Sequence, residues 1–149
     1  MILKLSRRTL ISSFLTLLFV SCKDSTNTNG RLNKQNDLKP IRLKIGKMAD
    51  FKSPYTPLSI YRVAIIRVTE NSQPSLKAIS LLCTHQTCLV NFKSPTYECP
   101  CHGSIFDRDG TVLKGPAVKP LNWKKIEIEG DDIFLLPDSN VDKSWSLKI

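Results

Sequence analysis

Between residues 41 and 137 apolar and polar positions alternate in short runs separated by turn residues. Ile41-Arg42-Leu43-Lys44-Ile45 alternates at period two, the pattern of a strand with one buried face. Ile60 to Val68 is a longer run rich in β-branched residues, and Leu76 to Leu82 is another; both suit the pleated surface of a sheet. Thr111-Val112-Leu113, Trp123 to Ile128 and Ile133 to Leu136 predict further strands, with tight turns at Asp109-Gly110 and Gly130-Asp131. Pro54, Pro57, Pro74, Pro95, Pro116, Pro120 and Pro137 leave no room for a long helix, because proline lacks the amide donor and clashes with the preceding turn. There is no internal repeat at architectural scale. The pattern predicts one all-β domain over residues 41–149, large enough for a modest core.

The first forty residues obey a different rule. Lys4, Arg7 and Arg8 precede an apolar run from Leu10 to Val20, followed by Ser21 and Cys22. That run is too short to span a bilayer as a helix, which takes about 20 residues; its length and flanks are those of a secretory signal. Ser6-Arg7-Arg8-Thr9-Leu10-Ile11 resembles a twin-arginine export signal, with Leu10 where Phe is usual. Phe19-Val20-Ser21-Cys22 resembles a lipobox, in which the cysteine is acylated. Residues 1–22 are therefore expected to be a signal peptide, with Cys22 the lipidation site and membrane attachment through the lipid. Lys23 to Pro40 is polar and almost free of apolar residues, and reads as a flexible tether, residues 23–40, with a reach of roughly 20–25 Å.

The chemistry is concentrated in two blocks. Cys83-Thr84-His85-Gln86-Thr87-Cys88 and Cys99-Pro100-Cys101-His102-Gly103-Ser104 hold every cysteine but Cys22 and both histidines of the chain. Soft ligands gathered so tightly point to a metal site. Two Cys and two His could hold one zinc ion tetrahedrally, which leaves two cysteines unexplained. A 2Fe–2S cluster of mixed ligation uses all six residues: each block gives one thiolate and one imidazole, and the spare cysteines pair as a disulfide. Replacing two thiolates by neutral imidazoles makes the oxidised cluster less negative and raises its potential.

At these residues the chain resembles the Rieske iron–sulfur proteins. The resemblance implies that Cys83 and Cys99 hold the buried iron, that His85 and His102 hold the exposed iron, and that Cys88 and Cys101 form a disulfide clamp. It extends to Gly115-Pro116-Ala117, which looks like the family's proline-containing loop over the cluster. It covers about residues 41 to 136 and implies one cluster per chain in a Rieske-type antiparallel β-sandwich, with a cluster-binding subdomain of two loops. Gly103 would let the backbone approach closely and aim N–H groups at sulfur. Ser104 takes the position whose hydroxyl donates to a bridging sulfide, stabilising the reduced cluster. Phe106 stands where high-potential members carry a Tyr that donates to a cysteine sulfur, so the expected potential lies below theirs and above an all-cysteine ferredoxin. Gln86 and Thr87 replace the common Leu-Gly pair, a polar face in place of an apolar one.

Net charge is +9, falling by three when Lys4, Arg7 and Arg8 leave with the signal. The charges are scattered, with no Lys/Arg block or interleaved aromatics, which excludes nucleic acid as the partner class. Anionic headgroups or an acidic redox partner fit better. Trp123 and Trp145 are expected in the core and at its edge. The resemblance thus implies a one-electron carrier, the iron–sulfur subunit of a quinol–cytochrome c reductase-like respiratory complex, at the bacterial periplasm or cell surface. Its partners would be a quinol-oxidising cytochrome b-like subunit or a dehydrogenase, and a cytochrome acceptor. By itself the chain is expected to catalyse nothing, having no substrate-pocket motif or nucleophile. Alternatives are the small subunit of an arsenite-oxidase-like enzyme and a zinc-stapled structural lipoprotein. A ferredoxin of a ring-hydroxylating oxygenase is disfavoured by Cys88, Cys101 and the export signal.

Overall fold

The computed structural model describes residues 39–149. The expected signal peptide, Cys22 and all but the last two residues of the expected tether lie outside them. The described chain is built from strands: β1 (Leu43–Lys47), β2 (Tyr55–Leu58), β3 (Val63–Glu70), β4 (Gln73–Ser80), β5 (Asn91–Lys93), β6 (Thr96–Glu98), β7 (Ile105–Phe106), β8 (Val112–Lys114), β9 (Trp123–Glu129), β10 (Asp132–Val141) and β11 (Leu147–Lys148). All the pairings are antiparallel. The large sheet runs β1-β10-β9-β4-β3-β2, with β11 beside β4, and the small one runs β5-β6-β7-β8. The all-β expectation holds.

Period two explains how the sheets stack. In β3, Val63 and Ile65 point one way and Ala64 and Ile66 the other, and all four are buried. The first pair joins Ile45, Leu76, Ile126, Ile133 and Leu135, all from the large sheet, which therefore curls around its own core. The second pair joins Ile79 and Trp123 on the outer face, against Val90, Tyr97, Phe106, Ala117 and Leu121 from the small sheet and its loops. β3 and β4 thus separate two cores, and the outer core includes Cys83 and Cys99. Trp123 is buried there, while Trp145 packs at the edge of the inner core.

The run Ile60 to Val68 is not one strand. Ser59–Tyr61 forms a 3-10 turn and Arg62 takes a left-handed φ of 55°. Leu58 pairs with Val63, so residues 59–62 must reverse the chain between β2 and β3. Ile60, left at the tip of that reversal, is 87% exposed. Gly130-Asp131 does turn β9 into β10, since Glu129 pairs with Asp132.

Where the chain enters the domain, it is pinned by charge. Arg42 bridges Glu127 at 3.2 Å and Glu129 at 3.0 Å, and its guanidinium lies 4.4 Å from the centre of the Phe134 ring.

Candidate metal centre

Two hairpin tips make the site. The first leaves β4 through Leu81 and returns at Val90, whose N–H donates to the Leu81 carbonyl at 2.8 Å. Within it the Cys83 N–H donates to the Cys88 carbonyl at 2.8 Å, and the Thr87 N–H to the Cys83 carbonyl at 2.8 Å. The second tip joins β6 to β7 and repeats the scheme: the Cys99 N–H donates to the Ser104 carbonyl at 2.8 Å, and the Gly103 N–H to the Cys99 carbonyl at 3.0 Å. Thr87 and Gly103 occupy equivalent places, with left-handed φ of 57° and 74°. Glycine takes that conformation freely, whereas a residue with a β-carbon loses roughly 1–2 kcal/mol. Gly103's own N–H thus closes its loop, where the sequence suggested that N–H groups here aim at sulfur.

At the base of the tips Cys83 and Cys99 are 1% and 3% exposed, and neither is in a disulfide. At their outer end His85 faces His102, ring centroids 4.8 Å apart and planes at 86°. His102 is exposed and His85 half-buried, and the Nδ1 of His85 is buried with no hydrogen-bond partner. Leaving such an atom unpaired costs about 1–3 kcal/mol, which a metal ion accepted by this nitrogen would recover. Cys88 and Cys101 are joined in a disulfide that ties one tip to the other. Their sulfurs and that of Cys99 all lie within 4.8 Å of one another, but a sulfur in a disulfide is not a thiolate ligand. Of these three only Cys99 remains able to bind metal. Two buried soft thiols and two adjacent imidazoles fit a 2Fe–2S cluster of mixed ligation.

The loop Gly115-Pro116-Ala117 is held over the tips by two hydroxyls. The Ala117 N–H donates to the Ser104 Oγ at 3.0 Å, and the Thr84 Oγ1 donates to the Lys119 carbonyl at 2.5 Å. Ala117 is 3% exposed and packs in the core that contains both free thiols, while Gly115 and Pro116 face solvent. Ser104 is fully buried; as an acceptor from Ala117, it keeps its own proton free of any protein partner among the described residues. Thr84 was not singled out in the sequence, although its place between Cys83 and His85 was the available signal. Phe106, fully buried opposite Tyr97 in the β6–β7 pair, offers no donor. Gln86 and Thr87 are exposed.

Residues 34–126 match the profile of the Rieske [2Fe-2S] domain. The chain is 35% identical over 94 residues to the cytochrome b6-f complex iron-sulfur subunit of Chlorobaculum thiosulfatiphilum, covering 62% of this chain and 50% of that one. It is 42% identical over 59 residues to the corresponding subunit of Prochlorococcus marinus (strain MIT 9211), covering 38% of this chain and 33% of that one. The chain thus spans about half, or less, of the length of these curated relatives. Among solved structures it is similar to the cyanobacterial plasma membrane Rieske protein of Synechocystis PCC 6803, with 32% identity, a TM-score of 0.46, and coverage of 62% of this chain and 97% of that one.

Proposed function

The chain belongs to the Rieske [2Fe-2S] family and carries a 2Fe–2S cluster, and we propose that it passes single electrons as the iron–sulfur subunit of a quinol–cytochrome c reductase-like complex. The observation that carries this is the unpartnered Nδ1 of His85, beside His102 and above two buried thiols. We assign Cys83 and Cys99 to the inner iron and His85 and His102 to the outer one. When bound, the cluster takes up and releases one electron, its imidazoles keeping the potential above that of all-cysteine clusters.

The chain's own residues set the terms of that exchange. The Cys88–Cys101 disulfide fixes one tip against the other, and Ala117 on the covering loop closes the base of the site with apolar surface. Ser104 offers its proton to the reduced, more negative state, which raises the potential. The exposed face of His102 is the contact point for a redox partner. The relatives named as cytochrome b6-f subunits support a cytochrome b-like donor and a cytochrome acceptor. Residues 1–22 serve as the export signal, Cys22 takes the lipid, and residues 23–40 tether the domain to the membrane at the periplasm or cell surface.

A second reading, the small subunit of an arsenite-oxidase-like enzyme, is favoured by Phe106 and by the polar pair Gln86-Thr87 at the tip. Low-temperature EPR of the dithionite-reduced protein, followed by redox titration, tests both. A rhombic signal with average g below about 2 supports the mixed ligation; stoichiometric zinc without a signal overturns it. Co-purification with a cytochrome b-like subunit supports the first complex, and recovery with an oxidoreductase large subunit supports the second. Phe106→Tyr raises the midpoint if the missing hydroxyl sets it; an unchanged midpoint removes that argument.

A further inference from the structure

The covering loop carries a lysine at each end, and each end is tied to a different tip. Lys119 accepts the Thr84 hydroxyl on its carbonyl, which fixes its backbone beside the first tip, next to His85. Lys114 lies on β8 opposite Ile105, the residue after Ser104, which fixes its backbone beside the second tip. Both lysines are exposed, and neither makes an ion pair among the described residues. Between them Val118 is 88% exposed, and Leu113, just before Lys114, is 60% exposed. An apolar side chain held out on an anchored loop loses little freedom when a partner covers it.

The charge of this face has one sign. Residues 83–89, 99–105 and 113–119, which make the tips and the loop, contain no aspartate or glutamate. The carboxylates nearest to them in sequence are engaged. Glu98 bridges Lys93 at 2.6 Å, and the Asp107 carboxylate accepts the N–H groups of Asp109 and Thr111. Two anchored cations with no opposing charge beside the imidazoles draw in and orient an anionic partner.

We propose that this face docks an acidic protein surface, with carboxylates set around Lys114 and Lys119 and an apolar seat over Val118. The proposal rests on the reading of the chain as an electron carrier and adds the sign of the surface that meets it. An anionic membrane offers the same charge, but it offers no electron acceptor to a face that exposes His102.

The test is stopped-flow oxidation of the full-length, cluster-loaded protein after reduction with dithionite and desalting. The acceptors are cytochrome c, which is basic, and the same cytochrome with its lysines succinylated, which is acidic. One electron passes from the reduced cluster to the haem iron, and no bond is made or broken. The acidic form is expected to react about tenfold or more faster at low ionic strength, an advantage that fades as salt is added. Lys114→Glu and Lys119→Glu each slow the acidic acceptor about threefold or more and speed the basic one. A shift in the cluster's potential would move both rates the same way, so opposite signs report the surface. Lys148→Glu makes the same change of charge on β11, which pairs with Ser75 at the end of β4 away from the tips, and has the smaller effect. Val118→Ser slows the acidic acceptor at every salt concentration. The EPR signal of each variant verifies that the cluster is in place. Equal rates and salt dependences for the two cytochromes overturn the proposal, as does an equal effect of Lys148→Glu. Binding to phosphatidylserine vesicles that the lysine variants weaken, with cytochrome rates unchanged, gives the lysines to lipid and overturns it too. If ferricyanide, a small oxidant, fails to oxidise the reduced protein, the electron-carrier reading falls and takes this proposal with it.

Discussion

The tip from Cys83 to Cys88 and the tip from Cys99 to Ser104 close with the same two backbone hydrogen bonds and turn at the same place through a left-handed residue. What they carry on that frame differs. The histidine stands two residues after the cysteine in the first tip and three after it in the second. The first tip ends on a disulfide cysteine, and the second ends on a buried serine. The left-handed residue is Thr87 in one and Gly103 in the other. The shared frame is what brings two thiols to the base together, and the unshared substituents are where the site is tuned.

Substitutions that sharpen or break this comparison are expected to rank as follows. Cys83→Ser or Cys99→Ser removes one thiolate from either tip and abolishes the EPR signal and bound iron to the same extent; retention of signal by one alone would show that the tips are not equivalent at their base. Cys88→Ser cuts the covalent link between them and costs about 2–4 kcal/mol of stability, read by denaturant unfolding. Ser104→Ala leaves the buried Ala117 N–H without its acceptor and costs about 1–3 kcal/mol, with a lower midpoint potential. Thr84→Val, the counterpart in the first tip, frees only the carbonyl of exposed Lys119, and its cost is about 1 kcal/mol or less. The smallest effects are opposite in sign. Thr87→Gly relieves a strained φ and stabilises by about 0.5–1 kcal/mol, net of the entropy glycine adds to the unfolded chain. Gly103→Ala destabilises by about 1 kcal/mol through φ alone, since an added β-carbon there meets no atom within 4 Å. Equal signs for the two changes would refute the shared frame.

The runs Ile41–Ile45 and Trp123–Ile128 marked β1 and β9 because the code is local; β9 buries Trp123 and Ile126, while β1 buries Ile45 alone and leaves Leu43 exposed. The Cys/His blocks were legible for the same reason: each ligand group falls within six consecutive residues. Strands β5 to β7 were not legible, since two or three residues are too few to show a period, whereas Thr111-Val112-Leu113 did mark β8. Nor was the bond from Thr84 to Lys119, which joins positions 35 apart in sequence and exists only once the small sheet has folded. The run at Ile60 misled because its β-branched composition is that of a strand, whereas the pairing of Leu58 with Val63 requires a reversal there. The sequence carried no sign that the buried Tyr97 hydroxyl lacks a hydrogen-bond partner among the described residues, because satisfaction of a buried group is a property of its neighbours in space.

The sulfur of Cys99 lies within 4.8 Å of both sulfurs of the disulfide. Without iron, its thiolate is a nucleophile placed beside a bond it can break: attack on Cys88 or Cys101 forms a new disulfide and releases the other cysteine as a thiolate, with no oxidant consumed. Three cysteines admit three such pairings, and only one leaves Cys99 free to bind metal. Iron held by Cys99, as proposed above, would therefore act as a protecting group as well as a redox centre, blocking the isomerisation for as long as it stayed bound. Metal inserted before the thiols are oxidised would avoid the wrong pairings, and a chain that loses its cluster is expected to forfeit by isomerisation its competence to be reloaded.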